Sequence, residues 1–467
     1  FLQHEIIRLL AQKYQNLFMV GDEDQSIYGF RAAFPKALLN FNKTYANSVV
    51  LKMERNYRST KVIVDSANMF IKLNKERINK NMFCENEIGL PINFVELEDL
   101  KEQYSHITKK VKTELGYKSI SILYRNNDSA IPLVDIFDRE NIPFSIRENT
   151  PTFFTHFVTN DILSFIRLAN NFGDVAAFER IYYRLNINLS KKMFEYVKQN
   201  SNGDVFETLK KFPELSSATI KSIEEKKLDF NSLKRLSPTD AISYIEHDLN
   251  YNSVIKNLSK QGFSFETLMQ KLNTLKIIAS NFKDQISFID RVYKLKDIME
   301  NIGINNSKIT LSTVHSSKGL EFDMVFIIDA IDGQFPTTES IRQKIELKNS
   351  SQFEEETRLF YVGITRARKE LTIFISNKLH GQKIRKSRFI DILQFNKNID
   401  FSDINYNNFS NNANRNQVKY YNELKDYNKG DYIIHTTFGN GKIVNISGKI
   451  AEVQFNNKKI MKFDLKL

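Results

Sequence analysis

Apolar and polar positions fall into three successive textures. From residue 1 to about 150, apolar runs alternate with amphipathic stretches. FLQHEIIRLLAQKY sets Leu2, Ile6, Leu9, Leu10 and Tyr14 on one helical stripe, so the chain opens directly in a helix, which suggests a part upstream. LFMV (17–20) reads as a buried strand feeding the polar loop GDEDQSIYGFRAA (21–33). A helix over TKVIVDSANMFIKL (60–73), a strand SISILY (119–124) and a helix AIPLVDIFDREN (130–141) follow. This alternation predicts an α/β fold with a mostly parallel sheet. From about 151 to 302 nearly everything repeats at helical spacing, as in NDILSFIRLANNF, DVAAFERIYYRL, SFETLMQKLNTLKIIASNF and QISFIDRVYKLKDIMENI, which predicts an inserted helical domain. The α/β texture then returns with KITLSTV (308–314), MVFIIDA (324–330), a helix around EEETRLFYVGITRARK (354–369) and a strand ELTIFIS (370–376). An Asn-, Asp- and Ser-rich stretch over 396–422 reads as a linker. Residues 423–467 alternate in short runs broken by Gly and Asn, the pattern of a small β-barrel.

Composition narrows the class. One cysteine, Cys84, excludes an internal disulfide and a cysteine-rich zinc site, and fits a reducing cytoplasm. No apolar run approaches the roughly 18 residues of a membrane span. Lys and Arg number 67 against 55 Asp and Glu, a net charge of +12 that favours polyanionic partners, although solvated surface lysines account for it equally well. Tryptophan is absent beside 37 Phe and 19 Tyr, so any base-stacking platform must use Phe, Tyr, His or Arg.

Four stretches go beyond generic α/β sequence: the loop 21–33, MERNYRST (53–60), TVHSSKGLEFDMVFIID (313–329) and EEETRLFYVGITRARKEL (354–371). Each has a plain structural alternative. Arg58 reads equally as a surface residue at a helix start, His315 as a satisfied interior histidine, Arg366 and Arg368 as a solvated helix face, and Tyr28 and Phe30 as core. Jointly these alternatives fail, because every stretch sets guanidinium, amide or hydroxyl groups at the margin of a strand, where parallel sheets bind ligands.

GDEDQSIYGFRAA, ERNYRST, ILYRNN (122–127), TVHSSKGLEF and YVGITRARKEL, in this order and spacing, resemble the consecutive motifs of the UvrD/PcrA/Rep-type superfamily 1 DNA helicases. The helical block falls where that family inserts its 2B subdomain. The resemblance implies a RecA-like (P-loop NTPase) α/β motor with an inserted all-helical subdomain and a small C-terminal SH3/Tudor-like β-barrel. It implies these divisions: 1–54, the end of the first motor domain; 55–150 and 305–395, two halves of the second; 151–304, the 2B-like insertion; 396–422, a linker; 423–467, the β domain. The implied activity is ATP-dependent 3′→5′ unwinding or translocation on single-stranded DNA and ss/ds junctions, in repair or replication in the cytoplasm, with ATP and Mg2+ as cofactors. Gln25 would sense the γ-phosphate. Arg58 and Arg366 would be arginine fingers and Glu321 would touch the nucleotide sugar. Tyr28, Phe30, Arg31, Arg125, Asn127, His315 and Lys318 would face DNA. The tail would contact partners such as RNA polymerase or repair proteins.

The chain also departs from that family. Phe30 stands where tryptophan is usual, and Ala32 where glycine is usual. The duplex-contacting hairpin of the insertion is not recognisable. No G-x-x-x-x-G-K-[ST] occurs, and GNGK (439–442) reads as a hairpin turn. The magnesium-binding acidic motif is expected upstream of Phe1. The chain therefore resembles the C-terminal portion of a helicase and is expected to hydrolyse no ATP alone. The alternative is a catalytically inactive DNA-binding or partner-docking remnant. Gln25, Arg58, Glu321 and Arg366 favour the motor, since a remnant has no use for γ-phosphate sensors.

Overall fold

The two strands that are apolar on both faces occupy the middle of the sheet. In a computed structural model, described for residues 2–14, 16–29, 36–45, 47–114, 117–147, 152–302, 307–395, 432–435, 439–447, 450–455 and 460–464, the chain forms two compact units, Phe1–Ile399 and Asp400–Leu467. The first unit carries seven strands: β1 (Asn93–Asp99), β2 (Ile120–Tyr124), β3 (Ser145–Ile146), β4 (Ile309–Thr313), β5 (Phe322–Ile327), β6 (Ala367–Leu379) and β7 (Gln382–Lys383). Their order is β1-β6-β5-β2-β4-β3, all parallel, with β7 antiparallel on β6. Every residue of β2 and β5 is buried, as expected of central parallel strands covered on both faces. β2 pairs β4 and β5, so segments some 190 residues apart in sequence lie side by side. This is a RecA-like parallel sheet with a helical subdomain beside it.

The predicted helices form, with edges shifted by a few residues: Lys61–Ile71, Ile131–Arg139, Phe157–Asn170, Val175–Ile181, Phe265–Ala279 and Gln285–Asn301. Side-chain oxygens of Asp174, Ser264 and Asp284 cap three of them. The helical insertion shares one continuous apolar core with the sheet, from Leu97 and Ile122 through Phe137 and Phe153 to Leu272 and Phe288. Buried ion pairs fasten it: Lys271 to Asp128 at 2.6 Å, and Arg291 to Asp135 and Asp138 at 2.7 Å each. On the other side of the sheet Phe70, Phe335, Phe353, Phe360 and Phe389 interlock with ring centroids 4.8–6.3 Å apart, joining helices Lys61–Ile71, Ser351–Ile364 and Arg388–Phe395.

Three sequence expectations are corrected. LFMV (17–20) is neither strand nor buried: Phe18 is 88% exposed and no described strand lies beside it to complete a ladder. An apolar run becomes a strand only when its backbone is paired. Likewise the helix Leu2–Ala11 buries none of its residues. The helix expected around EEETRLFYVGITRARK (354–369) ends at Ile364 and β6 begins at Ala367, so Arg366 lies between them and Arg368 in the strand. Finally, Gly439–Lys442 lies within a strand, not in a turn, with Gly439 opposite His435 and Lys442 opposite Tyr432.

The second unit contains β8 (Tyr432–His435), β9 (Gly439–Ser447), β10 (Ile450–Phe455) and β11 (Ile460–Asp464). They form an antiparallel meander in the order β11-β10-β9-β8.

Candidate functional site

The loop after residue 20 is held on every side by the elements it faces. Asp22 caps a short turn, Glu23–Gln25, by accepting from the Asp24 amide at 3.1 Å. Its other carboxylate oxygen accepts from Gln25 Nε2 at 2.6 Å. Glu23, Asp24 and Ile27 are buried. Three carboxylates this close demand cations, and the segment after helix Lys61–Ile71 supplies them. Lys80 Nζ lies 2.6, 3.1 and 3.3 Å from Asp22, Glu23 and Asp24, and Arg77 forms a fork on Asp24 at 2.6 and 3.1 Å. Burial alone would lower the Lys80 pKa, but the three carboxylates outweigh it and raise it.

The rest of the loop is tied to the edge formed by the carboxyl ends of β2 and β4 and by helix Ser351–Ile364. Lys318 Nζ donates to Gln25 O at 2.8 Å, and Arg358 Nε donates to Ser26 O at 2.8 Å. Tyr28 donates its hydroxyl to His315 O at 3.2 Å, and Lys318 Nζ stands 5.3 Å from the centre of the Tyr28 ring. The Gly29 amide donates to Glu355 Oε1 at 2.7 Å. Lys318 and His315 lie in the turn between β4 and β5, which Gly319 closes at φ +86°, a conformation that favours glycine.

Arg58 and Arg366 converge on Thr365. Arg58 follows a turn in which Asn56 Oδ1 accepts from the amides of Arg58 and Ser59, while Ser59 and Thr60 bond to the backbone at the start of β6. Arg58 Nε reaches Glu321 Oε2 at 2.7 Å and its Nη1 reaches Thr365 O at 3.3 Å. Arg366 is only 1% exposed; it donates to Val362 O and Leu320 O at 2.9 Å and to Thr365 Oγ1 at 3.1 Å. Burial, and then the neighbouring Arg58 charge, push its pKa down to about 10. Two guanidiniums held together with one carboxylate, Glu321, between Arg58 and Arg368 make a site suited to a polyanion.

A groove of about 930 Å³ runs past Gly29, Arg125, Asn127, His315, Glu355 and Arg358. Arg125, immediately after β2, is held in a fork by the buried Glu356 at 2.8–3.2 Å. Asn127 opens the turn that follows. Arg58, Glu321 and Arg366 thus gather around Thr365, Lys318 holds Gln25 and faces the Tyr28 ring, and Arg125, Asn127 and His315 line the groove, with Tyr28 bonded to His315. Phe30, Arg31 and Ala32 lie outside the described residues. Arg77, Lys80, Glu355 and Glu356 were not anticipated from sequence. The available signals are NKERINKNM (74–82), where two cations three residues apart follow a helix, and the triplet Glu354-Glu355-Glu356.

Residues 51–378 match the model of the UvrD-like helicase C-terminal domain. The chain belongs to the UvrD-like helicase family. Residues 1–46 match the UvrD/REP helicase N-terminal domain. Among its relatives, the ATP-dependent DNA helicase Rep of Buchnera aphidicola subsp. Schizaphis graminum is 34% identical over 421 residues, covering 83% of this chain and 62% of that protein. The ATP-dependent DNA helicase PcrA of Staphylococcus epidermidis is 27% identical, covering 97% and 66%. The putative ATP-dependent DNA helicase YjcD of Bacillus subtilis is 28% identical, covering 83% and 52%. This UvrD-like chain therefore spans about half to two thirds of the length of the curated relatives it matches. Among its described residues no helix is long and apolar enough to cross a membrane, and no group of three or more His, Cys, Asp or Glu is arranged to hold a metal ion.

Proposed function

We propose that this chain is the C-terminal portion of an ATP-driven 3′→5′ DNA translocase and helicase, with the loop 22–29 coupling nucleotide to strand. The observation that carries this reading is the pair of bonds by which that loop is held to one turn, between β4 and β5. Lys318 Nζ donates to Gln25 O, and the Tyr28 hydroxyl donates to His315 O at the groove. Phosphoryl transfer requires positive charge on oxygens that load in the transition state. Arg58 and Arg366 would supply it, Gln25 would orient the attacking water, and Glu321 would meet the sugar. ATP with Mg2+ would bind between these residues and a phosphate-binding loop, with the metal ligands outside this chain. Tyr28, Phe30, Arg31, Arg125, Asn127, His315 and Lys318 would line a track for single-stranded DNA, indifferent to sequence because it uses π-faces and backbone contacts.

In this reading 1–54 completes the first motor domain and 55–150 with 305–395 forms the second. Residues 151–304 are the insertion, 396–422 the linker, and 423–467 close into an SH3/Tudor-like barrel that docks RNA polymerase or repair proteins. The protein would work in the cytoplasm in repair or replication. The testing experiment joins a phosphate-loop half-domain to this chain and measures ATP hydrolysis with and without oligo-dT. Turnover that rises with DNA and disappears in Arg366→Ala, with strand binding kept, supports the reading. Turnover indifferent to DNA contradicts it.

A further inference from the structure

We propose that the Gly29 amide, Arg125 and Arg358 form a phosphodiester site in the groove, and that the Glu355 carboxylate occupies this site in the strand-free protein. The proposal rests on the reading of the groove as a single-strand track, and assigns it a built-in competitor. Of the other acids of the groove, Glu356 forks with Arg125, Glu76 lies 3.8 Å from Lys36, and Glu354 accepts from the neutral Ser350 Oγ at 3.0 Å. Glu355 is the one that holds the Gly29 amide. Among the described residues its one hydrogen bond comes from a neutral donor, the Gly29 amide, and it makes no ion pair within 4.0 Å. Yet its charge is felt by both Arg125 and Arg358, whose cationic forms it favours.

A backbone amide and two guanidiniums lining one groove are the kind of donors that proteins use for phosphate oxygens. Neither guanidinium is fully used. Arg358 gives Nε to Ser26 O, and Arg125 gives Nε and Nη2 to Glu356, out of five N–H groups each. The carboxylate also approaches the backbone closely: a Cβ at position 29 would stand 2.5 and 2.8 Å from the two Glu355 carboxylate oxygens. A strand phosphate entering here displaces Glu355 from the amide, so the carboxylate weakens strand binding by repulsion and by occupying the donors.

The test uses the chain itself, with fluorescence anisotropy of labelled oligo-dT over a salt series. Glu355→Gln keeps the shape and removes the charge. It is expected to bind oligo-dT several-fold tighter, with the slope of log affinity against log salt steeper by about 0.7, the increment of one added phosphate contact on a single strand. Adding Arg358→Met to Glu355→Gln should remove both gains. Affinity and slope unchanged or reduced in Glu355→Gln would overturn the proposal. If neither wild type nor variant binds oligo-dT, the strand-track reading fails, and titration with inorganic phosphate decides the site separately. A Gly29 amide resonance that shifts more in Glu355→Gln than in wild type upholds it. Equal or absent shifts overturn it.

Discussion

Lys80 brings one ammonium within 3.3 Å of three consecutive carboxylates, and the nearest, Asp22, gives its second oxygen to the side-chain amide of Gln25. The cation and its partners come from segments more than fifty residues apart, so this cluster fastens the loop 22–29 to the segment behind helix Lys61–Ile71. Lys80 is 12% exposed and Asp24 1%. Removing one partner of a buried ion cluster leaves uncompensated charge, at a cost of about 3–5 kcal/mol. Lys80→Met should lower the urea midpoint accordingly, and Lys80→Arg should recover part of the loss. A midpoint unchanged in Lys80→Met would show that the cluster does not hold the loop.

The two converging arginines should differ in structural importance. Arg58 pairs with Glu321 at a half-exposed position, where an ion pair contributes about 0–1 kcal/mol. Arg366 is enclosed, and its loss strips the donor from Leu320 O, while Val362 O keeps Thr365 Oγ1 at 3.0 Å; an acceptor left unsatisfied costs about 1–3 kcal/mol. Chemical denaturation should therefore show Arg366→Met destabilised well beyond Arg58→Met. The reverse order would contradict the buried geometry of Arg366.

His156 makes stability depend on pH. Its ring Nδ1 caps helix Phe157–Asn170 by accepting from the Val158 amide at 3.2 Å, which requires the neutral ring. Burial, and then the nearby Lys271 charge, lower its pKa from 6.5 to about 4. Between those values the unfolded chain binds more protons, so stability falls as pH drops from 6.5 through 4. Full linkage gives at most about 3 kcal/mol, less after allowing for partial exposure. His156→Asn keeps a capping oxygen and should flatten this part of the pH–stability curve. An unchanged curve would place the titrating group elsewhere.

Much of the fold is legible in the pattern because the central strands are mostly apolar. ISILY carries one small polar residue, Ser121, MVFII carries none, and the insertion repeats at helical spacing over 150 residues. Individual segments fail where tertiary pairing decides. LFMV has strand composition but no neighbouring strand among the described residues, and Arg366 follows a helical pattern that stops two residues short of it. At the candidate site, stretches far apart in sequence touch, Gln25 with Lys318, Tyr28 with His315 and Arg58 with Glu321. Their partners were invisible because a salt bridge is a property of two places. Nothing local in NKERINKNM says that Lys80 meets Asp22, and nothing in Glu354-Glu355-Glu356 separates the buried Glu356 on Arg125 from Glu355 on the Gly29 amide.

The central claim is that Arg58 acts on nucleotide from a domain that also grips DNA. The most direct measurement is oligo-dT-stimulated ATP hydrolysis by a polypeptide that joins a phosphate-loop half-domain to this chain, comparing the parent with Arg58→Ala. The account predicts turnover lowered by about 10³–10⁵-fold, the usual worth of an arginine finger, with oligo-dT affinity and urea midpoint close to the parent's. Parental turnover in Arg58→Ala would contradict it.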